Sequence, residues 1–358
     1  MRFAALAREV FRNILTGTAR VTVFGVALAL ASTGLTLADL ATVHALEQQA
    51  RAFQDAGASV TTLVAPGRID GRVCESLARL DGVRAAGAIR DSTEQVRALA
   101  LPGAPLQTKD VTVGFPALLT RSGPTGAGVV LVRSAADQLG LSTGDTLDTS
   151  SGELRVAGVF DYPDDGRRTG LGFAALLPTV DTKPFDECWV DAWPAVPALP
   201  ALIMTTVTPS TGARDEEAPA LGQLNTRLGA ALDGPRLFEE RTTAAVPLVA
   251  LAVGLALGFL SVRLRRMQLA SALHSRVRRS ELHLQVVLET GAWVLPAVAV
   301  GLAVCGVAVA LGDPADHLTN AALTLRVPAT GAAASLAGAT LALAATRERH
   351  LFRYFKDR

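Results

Sequence analysis

The sequence predicts a membrane protein with four transmembrane α-helices and a large α+β extracellular domain between the first and the second. Three observations carry that expectation. Four apolar stretches each approach the roughly 20 residues a helix needs to cross hydrocarbon. Basic residues crowd three of the segments beside them, as cytoplasmic segments do. Residues 41–242, between the first two stretches, alternate strand-like with helix-like patterns over enough length for a core of their own. Composition agrees, since 49% of the 358 residues are hydrophobic and only 5% aromatic. The apolar mass is Ala, Val, Leu and Gly, which allow close helix packing in lipid. A net charge of +1 decides nothing by itself, because membrane proteins sort charge by compartment.

Residues 1–20 read as a cytoplasmic interfacial amphipathic helix. RFAALAREVFRNIL places Phe3, Leu6, Ala7, Val10, Ile14 and Leu15 on one side and Arg2, Arg8 and Arg12 opposite, as suits anionic lipid. An ordinary buried amphipathic helix is the alternative. The first span is expected at 21–40. A cleaved secretory signal starts in the same way, but the uncharged run from Val21 to Ala38 exceeds the roughly 7–15 residues of a signal core.

Within 41–242, ASVTTLVAP (58–66) reads as a strand closed by Pro66-Gly67. IDGRVCESLARL (69–80) reads as a helix with Ile69, Val73, Leu77 and Leu80 on one face. GVRAAGAIRD and EQVRALAL read as strands, and GVVLVRSAADQLGL as a strand running into a short helix. GDTLDTSSGELRVAGVF gives two strands joined at Ser150-Ser151-Gly152. ALIMTTVTP reads as a further strand, and DEEAPALGQLNTRLGAALDG as a helix whose opening acids, Asp215, Glu216 and Glu217, suit its N-terminal dipole. VHALEQQARAFQ and FEERTT are helix-like connections to the neighbouring spans.

The remaining spans are expected at 243–262, 291–312 and 327–346, joined by a segment at 263–290 and an extracellular loop at 313–326, with a tail at 347–358. Gly254 and Gly258 form a GxxxG pair for helix packing, continued in the fourth span by Gly331, Ala334 and Gly338. RLRRMQLASALHSRVRRSELH alternates basic residues with Met267, Leu269, Leu273 and Val277, the pattern of a short amphipathic helix that could rest on lipid or fit a protein groove. Orientation follows from arginine placement. Residues 1–20 hold four arginines and one acid, 263–290 six arginines and two acids, and 41–241 hold 25 acids against 18 basic residues. Both termini and the 263–290 segment are therefore expected in the cytoplasm of a cell-membrane protein.

The site chemistry of an enzyme is missing from the sequence. No lysine follows a glycine, so no phosphate-binding loop is present. Gly140-Leu141-Ser142-Thr143-Gly144 matches G-x-S-x-G, but a helix-like run precedes it and a strand-like one follows, so it reads as a turn. No HExxH or clustered Cys/His spacing offers a metal site. Catalytic, cofactor and metal residues are therefore expected to be none, and nothing points to nucleic acid. Glu289 is the one acid at the mouth of the third span, where snorkelling or a partner contact explains it better than a proton relay. Cys74 and Cys188 both fall in the extracellular segment, where disulfides persist, and are expected to pair, with two free thiols as the alternative. Cys305 sits within a span as a packing residue.

Several stretches resemble the MacB/FtsX-like permeases of ATP-binding-cassette systems: LARLDGVRAAGAIR, LVRSAADQLGLSTGDTLDTSSGELRVAGVF, and RMQLASALHSRVRRSELHLQVVLETG. The order of parts resembles theirs as well, over nearly the whole chain. The chain departs from the family at Ala272-Leu273-His274-Ser275, where the family tends to have a glycine. The resemblance implies a permease that works by mechanotransmission beside a second copy or a paralogue, over a separate ATPase that carries the ATP and magnesium. It makes 263–290 the coupling segment, with Arg265, Arg266, Leu269, Leu273, Arg276, Arg278 and Arg279 docking the ATPase. The implied work is export or extraction of a peptide, lipid or other amphipathic substrate. The alternative is a signalling permease that moves nothing and regulates an extracellular cell-wall hydrolase.

Overall fold

Four helices long and apolar enough to cross a membrane stand among the described residues, within Val21–Asp55, Thr242–Arg263, Arg279–Ala310 and His317–Ala345. The computed structural model describes residues 3–346 except 104, 121–122, 124–125, 210–217 and 313–316. Asp215, Glu216, Glu217 and the tail 347–358 lie outside the described residues. The chain divides into two compact units, Met1–Leu46 with Arg236–Arg358, and Glu47–Pro235.

The first unit is helical. It contains α1 (Phe3–Leu15), most of α2 (Val21–Asp55), α7 (Val246–Arg263), α8 (Arg266–His274), α9 (Arg279–Ala310) and α10 (His317–Ala345). Small residues set the α7–α10 contact. A Cβ on Gly258 would overlap the Ser335 carbonyl oxygen, and one on Gly254 would stand 2.9 Å from the Ala334 Cβ. Helix α9 meets α2 through Trp293 and Phe24, whose ring centroids are 5.8 Å apart. Hydroxyls within the helices turn back to their own backbone: Ser32 Oγ donates to the Leu28 carbonyl at 2.7 Å and Ser335 Oγ to the Gly331 carbonyl at 2.8 Å. Such bonds satisfy polar groups where no water reaches them.

The second unit is sheet-rich. Its strands are β1 (Val60–Ile69), β2 (Val83–Asp91), β3 (Gln107–Val111), β4 (Val129–Val132), β5 (Thr146–Thr149), β6 (Gly152–Phe160), β7 (Ala174–Pro178), β8 (Phe185–Ala192) and β9 (Ala220–Gln223). Among the described residues they form one sheet in the order β5-β6-β4-β7-β3-β2-β8-β1-β9. The β3/β7 and β4/β6 pairs are parallel and the others antiparallel. All four residues of β4, VVLV, are buried, as a strand covered on both faces requires. Gly87 in β2 lets the turn at Phe115 lie directly on the strand, since a Cβ there would stand 2.6 Å from the Phe115 Cα. Phe115 then packs on Trp189 at 5.2 Å between centroids. Short helices α3 (Gly71–Ser76), α4 (Arg133–Leu139) and α5 (Leu199–Met204) cover the sheet, and α6 (Gly234–Glu239) follows the last strand.

Several expectations are corrected. The first strand does not close at Pro66-Gly67: it continues to Ile69 across a register shift in its pairing with β8. The 69–80 helix starts later and turns a different face inward. Asp70 caps it, accepting from the Arg72 and Val73 amides at 2.8 and 3.1 Å. Gly71, Cys74 and Leu77 are buried while Val73 and Leu80 are exposed, because the buried Cys74 sets which face turns inward. EQVRALAL makes only isolated bridges, Val96 to Leu106 and Ala98 to Thr149. ALIMTTVTP is helical at its start: Pro200 opens α5, and its i, i+4 spacing buries Leu199 and Ile203 together. The expected helix from Asp215 contains strand β9 instead, because the edge of β1 offers a backbone ladder that outweighs propensity. In the helical unit, the third span belongs to a helix that begins at Arg279, so 263–290 is not one amphipathic helix. The 313–326 loop is helical from His317 onward. The expected boundary at 41 falls inside α2, as the VHALEQQARAFQ reading anticipates.

Candidate coupling site

The segment after α7 folds back as the nine-residue α8, whose sequence RMQLASALH carries its apolar side inward: Leu269 and Ala270 are buried and Leu273 half-buried. Leu269 joins Val262, Leu282, Val286, Ala339 and Ala342 in one cluster. Between α8 and α9 the chain turns at Arg276, which adopts positive φ, and Arg276, Arg278 and Arg279 are exposed.

Glu289 organises this end of the bundle. It is 2% exposed, and the Arg265 guanidinium, itself nearly buried, is ion-paired to its carboxylate. Asn13 on α1 donates to Glu289 Oε1 at 2.8 Å, and Gln285 donates to the same oxygen at 3.1 Å. One carboxylate therefore joins α1, the start of α8 and α9. Breaking such a buried pair by removing one partner costs about 3–5 kcal/mol. The seven residues expected to dock a partner consequently separate. Arg265 and Leu269 turn inward and are spent on internal contacts, because the buried acid and the apolar cluster claim them. Arg276, Arg278 and Arg279 remain on the surface, with Arg266 and Leu273 half-buried.

The opposite end of the bundle holds a second ion cluster that sequence reasoning missed. Arg241 Nε donates to Asp39 Oδ1 at 3.0 Å, and both side chains are 4% exposed. Arg326 approaches Asp39 Oδ2 at 3.5 Å. The Arg241 guanidinium also lies 3.9 Å from the Phe238 ring centroid and donates to its carbonyl at 2.6 Å. Helices α2 and α10 and the segment entering α7 thus share one buried acid. The available signal was a charge at each span boundary, a costly feature in a membrane helix.

In the sheet unit, the end of α2 is fastened to the sheet. Arg84 bonds Gln54 and reaches Asp191 Oδ2 at 2.6 Å, and Ser59 donates to Asp191 Oδ1 at 2.7 Å. Arg167 bonds the Asp55 carbonyl, and Asn225 Nδ2 donates to the Ala56 carbonyl at 3.0 Å. An open cleft of about 860 Å³ lies beside Arg84, Arg167 and Asp161. There the Arg133 guanidinium holds the Asp161 carboxyl below its ordinary range. Arg90 donates to Asp110 and Asp181 at 3.0 Å each; burial opposes its charge, but those bonds raise its pKa. Ser142 stands in an Asp145 turn, its amide donating to Oδ2 at 2.7 Å. Among the described residues no group of three His, Cys, Asp or Glu side chains could hold a metal.

No family model matches the chain, and no curated protein does. Solved structures share likenesses with it. The periplasmic region of MacB from Actinobacillus actinomycetemcomitans is 12% identical over 42% of this chain and 81% of its own, at a TM-score of 0.31. A domain of a putative permease from Porphyromonas gingivalis is 13% identical over 52% and 99%, at 0.33. The extracellular domain of the noncanonic ABC-type transporter YknZ from Gram-positive bacteria is 12% identical over 40% and 88%, at 0.27. One apolar helix, a sheet-rich domain and three further apolar helices follow one another along the chain.

Proposed function

We propose that the chain is the permease subunit of an ABC-type system, driven by a separate ATPase and acting by mechanotransmission on a peptide, lipid or other amphipathic substrate. The observation that supports this best is the basic end of the bundle. A short helix is pinned from within by Leu269 and the Arg265–Glu289 pair, while Arg276 and Arg278 stand exposed on the turn beyond it. A surface held so firmly passes an applied displacement to α7, α9 and α1 instead of yielding locally. At the other end, Asp39 ties α2 and the entry to α7, the two chain connections to the sheet domain. The basic end faces the cytoplasm in this reading, and a second copy or a paralogue completes the permease.

The contact is tested by charge reversal. Arg276→Glu with Arg278→Glu in the full chain should abolish copurification of an ATPase from native membranes, while the chain still inserts and elutes as before. ATPase recovery equal to wild type would place the contact elsewhere and remove the support for this reading.

A further inference from the structure

Beside the exposed turn lies a groove of about 490 Å³ that the ion-pair networks do not use. Its walls come from Leu273 of α8, the first turns of α9 and the last turns of α10, all within the helical unit. The apolar part is Leu282, Leu341, Leu343 and Ala344; the polar part is Arg279, Ser280 and His283. Leu341 is 60% exposed, and Arg279 and His283 are exposed as well. The nearest acid on this turn, Glu281, is already engaged: its carboxylate accepts from the Arg278 amide at 3.4 Å and makes a further contact.

We propose that this groove binds one phospholipid with an anionic headgroup, its phosphate on Arg279 and His283 and its acyl chain along Leu341 and Leu343. Charge complementarity selects the occupant. Helices α9 and α10 are membrane-spanning, and the groove lies where α9 begins and α10 ends, so it sits at the depth where hydrocarbon meets headgroups. Apolar walls continuous with the lipid-facing Leu341 suit an acyl chain. A guanidinium at the mouth is the group that binds phosphate oxygens in pairs. A docked protein helix would need apolar walls on both sides of the groove, whereas here one end is cationic and polar. This inference rests on the membrane reading of α9 and α10 and is independent of any ATPase, so it is tested on the permease chain alone. It divides the basic turn: Arg279 serves lipid, and Arg276 with Arg278 remain for a protein partner.

The full-length chain, purified in mild detergent, is titrated with dioleoyl phosphatidylglycerol or dioleoyl phosphatidylcholine, and retained lipid is counted by native mass spectrometry. One phosphatidylglycerol per chain should be retained, with about a fivefold preference over phosphatidylcholine from the arginine engaged. Arg279→Gln with His283→Gln should erase the preference but keep weak retention of both lipids. Leu341→Trp, which fills the groove from an exposed position, should remove retention altogether at an unchanged melting temperature. Equal retention of the two lipids by the wild-type chain would overturn the proposal, as would a preference that survives both variants. A dimer that Leu341→Trp returns to monomer would assign the groove to a second copy and equally end the lipid assignment.

Discussion

Cys74 stands on α3 and Cys188 on the interior strand β8, both fully buried, and their Cα atoms are 5.9 Å apart. That spacing lies within the range a disulfide spans, and the two sulfurs are bonded in the structure. The bridge closes a sequence separation of 114, for which the chain-entropy model gives a stabilisation on the order of 4–5 kcal/mol. Cys74→Ser with Cys188→Ser should lower the denaturation midpoint accordingly, and a non-reduced digest of fresh membranes should yield the linked peptides. Recovery of both as free alkylated thiols would refute the bridge. Tyr162 gives a second test. Its hydroxyl donates to the Arg168 carbonyl at 2.5 Å, and burial pushes its pKa up to about 12 from 10.0. The folded state therefore holds this proton after the unfolded chain has released it, so the contribution is complete below pH 10 and is lost as pH rises toward 12. In a Tyr354→Phe background, which leaves Tyr162 as the sole tyrosine, ultraviolet titration should show ionisation delayed to about pH 12, against about 10 in denaturant. A midpoint near 10 in the native protein would show that the phenol is not desolvated.

Among elements, the α7–α10 pair has the least room for change. A methyl at Gly258 meets the Ser335 backbone, which has no side-chain rotation to offer as relief, and Gly338 stands in the same relation to the Leu255 carbonyl. Gly258→Ala should therefore destabilise the full chain in detergent by about 1–3 kcal/mol, the usual cost of overpacking. Gly306→Ala in α9 is the control: no atom lies within 4 Å of its added Cβ, and alanine is the better helix former. Equal melting temperatures for the two variants would mean that the helices do not approach as closely as the structure has them. The GxxxG spacing was visible in the sequence. Which partner helix it faced was not, because small residues recur in every span.

At the scale of the molecule, the arginine distribution predicts that the sheet domain lies outside the cell. Ser150, exposed at the β5–β6 turn, is the position to interrogate. Ser150→Cys should react with a membrane-impermeant maleimide in intact cells, and reaction only after lysis would invert the topology. The sequence by itself determined the four apolar spans, the domain inserted between the first two, and the strands β2, β4 and β6. Each of these follows from burial along a local stretch, which leaves a periodic or unbroken apolar pattern that can be read in order. Tertiary structure alone decided that Arg265 and Leu269 turn inward, that Asp39 meets Arg241 and Arg326, and that Ala220–Gln223 is a strand and not a helix. The ion pairs among them join residues 24 to 287 positions apart (289 minus 265; 326 minus 39). An arginine destined for a buried carboxylate has the same local pattern as one destined for solvent. Only the packed bundle supplies the low-dielectric surroundings that make the pairing necessary.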